Sequence, residues 1–289
     1  MNLESDKVKK QGYFLTFLSA FIYGFTPIIA KMTYDYGNNG ITMTFYRFLF
    51  VIPVLFIIIK VKGYALTITK TQFKHISLVG IIGNALAITL LYSSYSYIAV
   101  GSATVLHFMY PVFVCLINAI YYKEKISKKT LYCLVVAIIG IFFFIEKNNS
   151  LYGMMIALAS GLFFSYYIVG MDQLGLKNMN PYVFNFYFSI VIAGILFLVG
   201  IISQQLILVL PPIVYLLIFI VSVLASIVGA ICLQQGIKRI GGTQASIVSM
   251  FEPVTSLICG ILFLNESLSL MSLIGSTFIL GSIIYMMKE

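Results

Sequence analysis

The sequence predicts an all-α integral membrane protein: ten transmembrane helices arranged as two inverted five-helix repeats. Three observations predict it. Of 289 residues, 61% are hydrophobic and 9% are charged, against roughly a quarter charged in soluble domains. The basic residues gather on alternate loops. The second half of the chain echoes the first after an odd number of apolar runs.

The first observation sets the class. A water-soluble fold of this length has too much surface to cover with so few charges. A soluble enzyme, a nucleic-acid binder and a disordered chain are excluded. A membrane-crossing helix needs about 20 apolar residues for a core of about 30 Å. Such runs fall near 12–31, 41–60, 75–98, 101–122, 129–146, 151–170, 181–203, 211–237, 243–264 and 270–287. They are too long, and too apolar on all sides, to be barrel strands. The polar opening Met1–Lys10 leads into a run without a small-residue cleavage site, so the first run reads as a retained span. Turn residues mark the connections: Gly37-Asn38-Asn39-Gly40, Asn148-Asn149-Ser150, Asn178-Met179-Asn180-Pro181, Pro211-Pro212 and Gly241-Gly242. The longest polar connection, Lys60 to Lys74, is too short for a soluble domain.

The second observation orients the chain. With the N-terminus cytoplasmic, fifteen of the 18 basic residues fall on the cytoplasmic side: Lys7 to Lys10, Lys60 to Lys74, Lys123 to Lys129, Lys177, Lys238-Arg239 and Lys288. Lys31 and Lys147 fall outside, and Arg47 lies within a span. This is the positive-inside pattern for ten spans with both termini cytoplasmic, in the cytoplasmic membrane. The net charge of +9 therefore marks a membrane face, satisfied by topology and anionic lipid. It is no sign of a nucleic-acid partner.

The third observation is the repeat. At an offset of 141, Phe45-Tyr46 matches Phe186-Tyr187, Ser19 matches Ser160 and Asn39 matches Asn180. At 142, Ala103, Pro111-Val112, Glu124 and Ser127 match Ala245, Pro253-Val254, Glu266 and Ser269. The halves are 1–147 and 148–289. Because five is odd, the second half starts on the opposite side of the membrane, and the halves are inverted. That arrangement is characteristic of secondary transporters and gives a route to alternating access.

Ionisable groups in a bilayer are costly and face a cavity or a partner. Arg47 in span two suits a substrate carboxylate or phosphate, or alternatively an internal salt bridge. Glu252, directly before Pro253, suits a proton-coupling or amine-binding role, or alternatively a structural partner for Arg47. His107, aligned with Ser249, either titrates with the transport cycle or is simply hydrogen-bonded. Tyr46, Tyr187, Tyr110, Tyr92 and Tyr166 are cavity candidates by repeat position or nearness to proline. Asn84, Asn185, Gln234 and Gln235 are buried polar candidates, with helix-to-helix hydrogen bonding as the competing reading. Glu124 and Glu266 end equivalent spans and read as structural caps or gate contacts. Cys115, Cys133, Cys232 and Cys259 lie singly in apolar runs and read as packing residues, with neither a disulfide nor a metal site. The sequence calls for no cofactor: there is no G-x-x-x-x-G-K-[ST] segment.

Gly101-Ser102-Ala103-Thr104-Val105-Leu106-His107-Phe108-Met109-Tyr110-Pro111 leads to Lys123-Glu124-Lys125. Gly242-Thr243-Gln244-Ala245-Ser246-Ile247-Val248-Ser249-Met250-Phe251-Glu252-Pro253 leads to Asn265-Glu266. With Lys31 and Phe45-Tyr46-Arg47-Phe48, and over nearly the whole chain, these segments resemble the drug/metabolite transporter superfamily, EamA branch. The sequence departs from relatives in lacking tryptophan; Tyr23 and Phe164 stand near the places in spans one and six where relatives often carry it. The resemblance implies a secondary transporter of small organic metabolites, amino acids or related compounds favoured, with export ahead of import. Arg47 and Glu252 then read the carboxylate and amine of a zwitterion. The partners implied are a small-molecule substrate and the lipid bilayer, with homo-oligomerisation left open. The rival classes are a membrane-embedded enzyme, which finds no acidic pair, metal cluster or nucleophile–base pair here, and a non-transporting sensor, which needs no exchangeable halves.

Overall fold

In a computed structural model, residues 3–94, 97–98, 100–143, 150–264 and 270–287 are described. Lys147, Asn148, Asn149, Asn265, Glu266, Ser269 and Lys288 lie outside them. The described residues are helical, with no strand among them. The helices are α1 (Leu3–Tyr34), α2 (Gly40–Val61), α3 (Lys70–Ser94), α4 (Val100–His107), α5 (Tyr110–Ile120) and α6 (Lys128–Phe142). There follow α7 (Leu151–Gln173), α8 (Pro181–Ile202), α9 (Pro212–Ser249), α10 (Glu252–Leu264) and α11 (Leu270–Met287). Among the described residues, seven stretches are long and apolar enough to cross a membrane: most of α1, then α2, α3, α4 with α5, α7, α8 and α9. α6, α10 and α11 are shorter.

Local chemistry explains where helices start. Asn39 caps α2, its side chain accepting from the Thr42 N–H at 2.9 Å. Asn180 caps α8, accepting from the Tyr182 N–H at 3.0 Å, with Pro181 at the first helical position. The repeat match between these asparagines is thus a match of caps. Thr69 and Gln72 form a capping box at α3, and Ser127 caps α6.

α9 has 38 residues, which at 1.5 Å each is about 57 Å and nearly twice a membrane core. Gly241 interrupts it, with φ 77 and ψ 163. That backbone region is open essentially to glycine alone. Gly241→Ala is expected to cost about 1–3 kcal/mol of stability, read as a lowered Tm in detergent. An unchanged Tm would show that the break is not held in this conformation.

Two further irregularities occur at equivalent places. α3 contains a π-helical segment, Val79–Leu86, and α9 another, Ser222–Gly229. α4 gives way to α5 through a tight turn, with Met109 N–H bonding Leu106 O at 3.1 Å. α9 gives way to α10 in the same manner, with Met250 N–H bonding Ile247 O at 3.1 Å. Proline follows each turn, at Pro111 and Pro253, where its missing N–H and fixed φ suit a first helical turn.

Packing joins one half to the other. α1 lies along α9 and α10, while α7 lies along α3, α4 and α5. α2 packs on α8, and α6 on α11. Individual contacts come in mirrored pairs under the offsets of the repeat. Gly12 meets Arg239 and Ile240 so closely that an added Cβ would lie 2.6 Å from Ile240; Gly153 meets Tyr97 and Ile98 in the same way, at 2.7 Å from Tyr97. The Phe56 and Phe186 rings are 6.2 Å apart, and those of Phe45 and Phe197 are 5.7 Å apart. Gly140 sits against the Gly275 carbonyl, and Ser282 donates to the Cys133 carbonyl at 2.6 Å. Small residues allow this close approach where apolar burial gives no drive between helices in lipid. The four cysteines are buried and unpaired.

Candidate functional site

The two helix breaks bring together residues from six helices. Tyr23 of α1 lies within electrostatic reach of Tyr167 on α7, Arg47 on α2 and Glu252 at the start of α10. Tyr110, the first residue of α5, is within electrostatic reach of Glu252 and Tyr23, with Ser249 of α9 a neighbouring polar group. Aromatic rings wall the cluster. Phe164 is 4.9 Å from Tyr110 and 5.1 Å from His107; Tyr167 is 5.5 Å from Phe188; Phe17 stacks on Phe251 at 4.3 Å. Tyr23 and Phe164, the residues at the expected tryptophan positions, are both members.

Arg47 is half-buried, with its guanidinium 4.8 Å from the Phe48 ring centre. Its Nε is buried and has no hydrogen-bond partner. Among the described residues the ion pair recorded joins Lys177 to Asp172, and none joins Arg47 to Glu252. Arg47 and Glu252 both lie within electrostatic reach of Tyr23, and a guanidinium and a carboxyl group around one aromatic cluster can receive a ligand with both a negative and a positive end. His107 is also present, its Nδ1 2.9 Å from the Ser160 hydroxyl.

The other residues singled out from the sequence are placed elsewhere. Tyr46 donates to the Leu208 carbonyl at 3.3 Å, and Tyr187 donates to the Leu66 carbonyl at 2.7 Å. Each tyrosine ties its helix to a loop of the opposite half. The Tyr92 hydroxyl lies 3.2 Å from the Thr44 hydroxyl, and its ring lies against Gly40. Tyr166 is partly buried against the core. Gln234 is buried and donates to the Leu176 and Met179 carbonyls at 2.9 and 3.3 Å. Asn185 donates to the Pro181 carbonyl, and Gln235 accepts from Arg239. Asn84 sits in the first π-helical segment with its Oδ1 buried and unpartnered; Ser226, its equivalent in the second, has an unpartnered Oγ.

Asp172, at the C-terminal end of α7, is a residue the sequence reading passed over. It is buried, accepts from the Gly242 N–H at 2.7 Å and pairs with Lys177 at 2.5 Å. A carboxylate there caps the helical turn restarting after Gly241. Asn118 donates to Thr243 at 2.9 Å and Tyr13 to Gln244 at 2.8 Å, so the same end of α9 is tied to α5 and α1. Glu124 closes the end of α5 through its N–H to Asn118 O at 2.9 Å. Partial burial, and then the nearby Asp172 carboxylate, raise the Glu124 carboxyl above the usual range, with Lys177 opposing. A recess of about 520 Å³ between α6 and α11 is lined by Tyr132, Val136, Phe278 and Tyr285. No charged residue lines it.

Comparison with known proteins agrees with this architecture. The EamA-like transporter family matches the chain twice, over residues 10–145 and 151–288. The chain belongs to this family. The EamA-like transporters lie within the drug/metabolite transporter superfamily, and the chain is accordingly a multi-pass membrane protein. An "Uncharacterized transporter" of Clostridium kluyveri is 28% identical, covering 95% of this chain and 93% of that protein. The "Uncharacterized transporter YcbK" of Bacillus subtilis is 35% identical over 65 residues, 22% of this chain and 21% of that protein. A solved structure, titled "Crystal structure of protein", superposes with a TM-score of 0.80 at 15% identity and covers 96% of both chains. That likeness concerns the fold alone.

Proposed function

We propose that this EamA-like protein is a secondary transporter of small organic metabolites that works by alternating access. Its halves, 1–147 and 148–289, are inverted repeats of five spans each. The ten spans follow if α4 with α5 is one span, α9 is two elements divided at Gly241, and the last turns of α9 continue into α10 as the ninth. Both termini face the cytoplasm, and the protein resides in the cytoplasmic membrane. Amino acids or related compounds are the favoured solutes, and export is favoured over import.

The observation that carries this reading is the placement of Arg47 and Glu252. Both are ionisable groups in an apolar bundle, both lie within electrostatic reach of Tyr23, and no ion pair joins them among the described residues. A zwitterion's carboxylate meets the guanidinium and its amine meets the carboxylate, so the solute supplies the partners that the protein withholds. Mirrored contacts between halves support exchange of their conformations. The test is flux of a metabolite panel in proteoliposomes, with and without a proton gradient. Zwitterion flux that responds to the gradient in wild type, and loses that response in Glu252→Gln, is the expected result. A panel with no zwitterion flux counts against the solute class, and an unchanged pH response in Glu252→Gln counts against coupling.

A further inference from the structure

The seam between α6 and α11 differs at its two ends. The recess at one end has a volume of about 520 Å³, within the ~300–1,000 Å³ usual for small-ligand sites. Tyr132 and Val136 of α6 line it, with Phe278, Gly281 and Tyr285 of α11. Tyr132, Phe278 and Tyr285 are exposed on the outside of the bundle. The Tyr132 and Tyr285 rings meet edge to face at 5.5 Å. Lys129 stands at the mouth, its Nζ 5.6 Å from the Tyr285 ring centre. Lys125 and Lys128 of the same connection are exposed. From Tyr285 to Phe278 the helix rises about 10 Å, most of the ~15 Å hydrocarbon depth of one leaflet. The recess is thus apolar in its depth, aromatic at its rim and cationic at its mouth.

The repeat shows what makes it. At the 142-residue offset Gly281 corresponds to Ile139, Tyr285 to Phe143, Tyr132 to Ile274 and Lys129 to Met271. At the other end of the seam, Ile139, Phe142 and Phe143 line a hollow of about 240 Å³. The larger space therefore goes with a glycine where the other half has isoleucine, and a Cβ added at Gly281 would meet nothing within 4 Å. Glycine within a helix lowers its stability, and here it gives no close packing in return.

We propose that this recess holds one acyl chain of an anionic phospholipid, with the lipid phosphate at Lys129. A recess open to hydrocarbon along its length suits an acyl chain. An ammonium at the mouth suits a phosphate, and tyrosine rings bridge the apolar and headgroup layers. Anionic lipids give the cytoplasmic leaflet its negative surface potential. In the orientation proposed above, on which the choice of leaflet rests, this end of the seam lies in that leaflet. A second copy of this chain on the same face, related by a two-fold axis along the membrane normal, would bring Lys125, Lys128 and Lys129 towards their own equivalents, and like charges disfavour that occupant.

The test offers the detergent-purified protein phosphatidylglycerol and phosphatidylethanolamine with identical chains, and counts retained lipid by native mass spectrometry. One lipid per chain is expected to survive, with phosphatidylglycerol preferred about fivefold. Gly281→Ile copies the other half and fills the recess; it is expected to lose the retained lipid while its Tm holds or rises. Lys129→Gln is expected to keep a lipid and lose the headgroup preference. Equal retention by Gly281→Ile and wild type overturns the proposal, as does a wild type that shows no preference. A dimer that forms without lipid and that Gly281→Ile dissolves assigns the face to a second copy instead. Orientation is read separately, by labelling Lys125→Cys with an impermeant thiol reagent in intact cells and in inside-out vesicles. Labelling in intact cells sinks the orientation and with it the choice of leaflet, and retention in detergent still decides whether the recess binds lipid.

Discussion

Replacing Asp172 by alanine is expected to cost the protein about 3 kcal/mol of stability, one of the largest single-residue effects here. Three losses combine. The buried Gly242 N–H loses its acceptor at the point where α9 restarts after Gly241. Lys177 loses its partner. The helix restart loses a negative charge at its positive end. Lys177 is partly exposed, so the ion pair itself is the smaller part. Asp172→Asn keeps an oxygen for Gly242 and loses only the charge, so its cost is about 1 kcal/mol. Both values are read from denaturation in detergent. Because Asp172 also ties α7 to α9 at the end assigned to the cytoplasm, the alanine variant is expected to open that end. A cysteine at Ser246, buried in the segment after Gly241, then reacts about tenfold faster with an impermeant thiol reagent applied from the cytoplasmic side. Lost stability with unchanged labelling makes Asp172 a structural cap only.

Arg47→Ala is expected to reduce transport about a hundredfold, or ~3 kcal/mol, while the Tm falls by far less. The reason is the missing protein partner. An arginine that neutralises a buried carboxylate leaves that carboxylate stranded when removed, and the fold suffers. No ion pair joins Arg47 to an acidic group among the described residues; its guanidinium lies over the Phe48 ring and its buried Nε has no hydrogen-bond partner. Arg47→Lys keeps the charge and loses the forked geometry, so it recovers only part of the activity. The measurement is flux paired with thermal stability on the same preparation. A large Tm loss in Arg47→Ala with proportionate loss of flux makes the residue structural.

The helical class and the repeat were legible because they are carried by composition and by matched positions. Seven long apolar stretches lie where the runs fall, and Asn39 and Asn180 cap equivalent helices. The interruptions were not legible. π-helical segments at Val79–Leu86 and Ser222–Gly229 shift the residue period slightly, and a span that is apolar on every side has no stripe in which such a shift shows. Gly241 was read as part of a connection, and its role in turning α9 depends on a φ that sequence does not print. Arg47, Glu252, His107 and Tyr110 were found because charge, histidine and proline stand out in apolar runs. Asp172 was missed because it lies just past an expected span end, where an acid is unremarkable until its buried contact with Gly242 is seen. Tyr46 and Tyr187 were singled out by equivalence alone. Equivalence marks a shared role, and here the role shared is tying a helix to a loop of the other half.

The closeness of α6 to α11, where Gly140 meets the Gly275 carbonyl and Ser282 bonds Cys133, has a thermodynamic consequence. Under the 142-residue offset these two contacts are each other's image, so in the proposed exchange of the halves the seam keeps its place in both facing states. The residues of the two contacts differ, so a substitution in one of them is expected to shift the ratio of the two states along with the folding equilibrium.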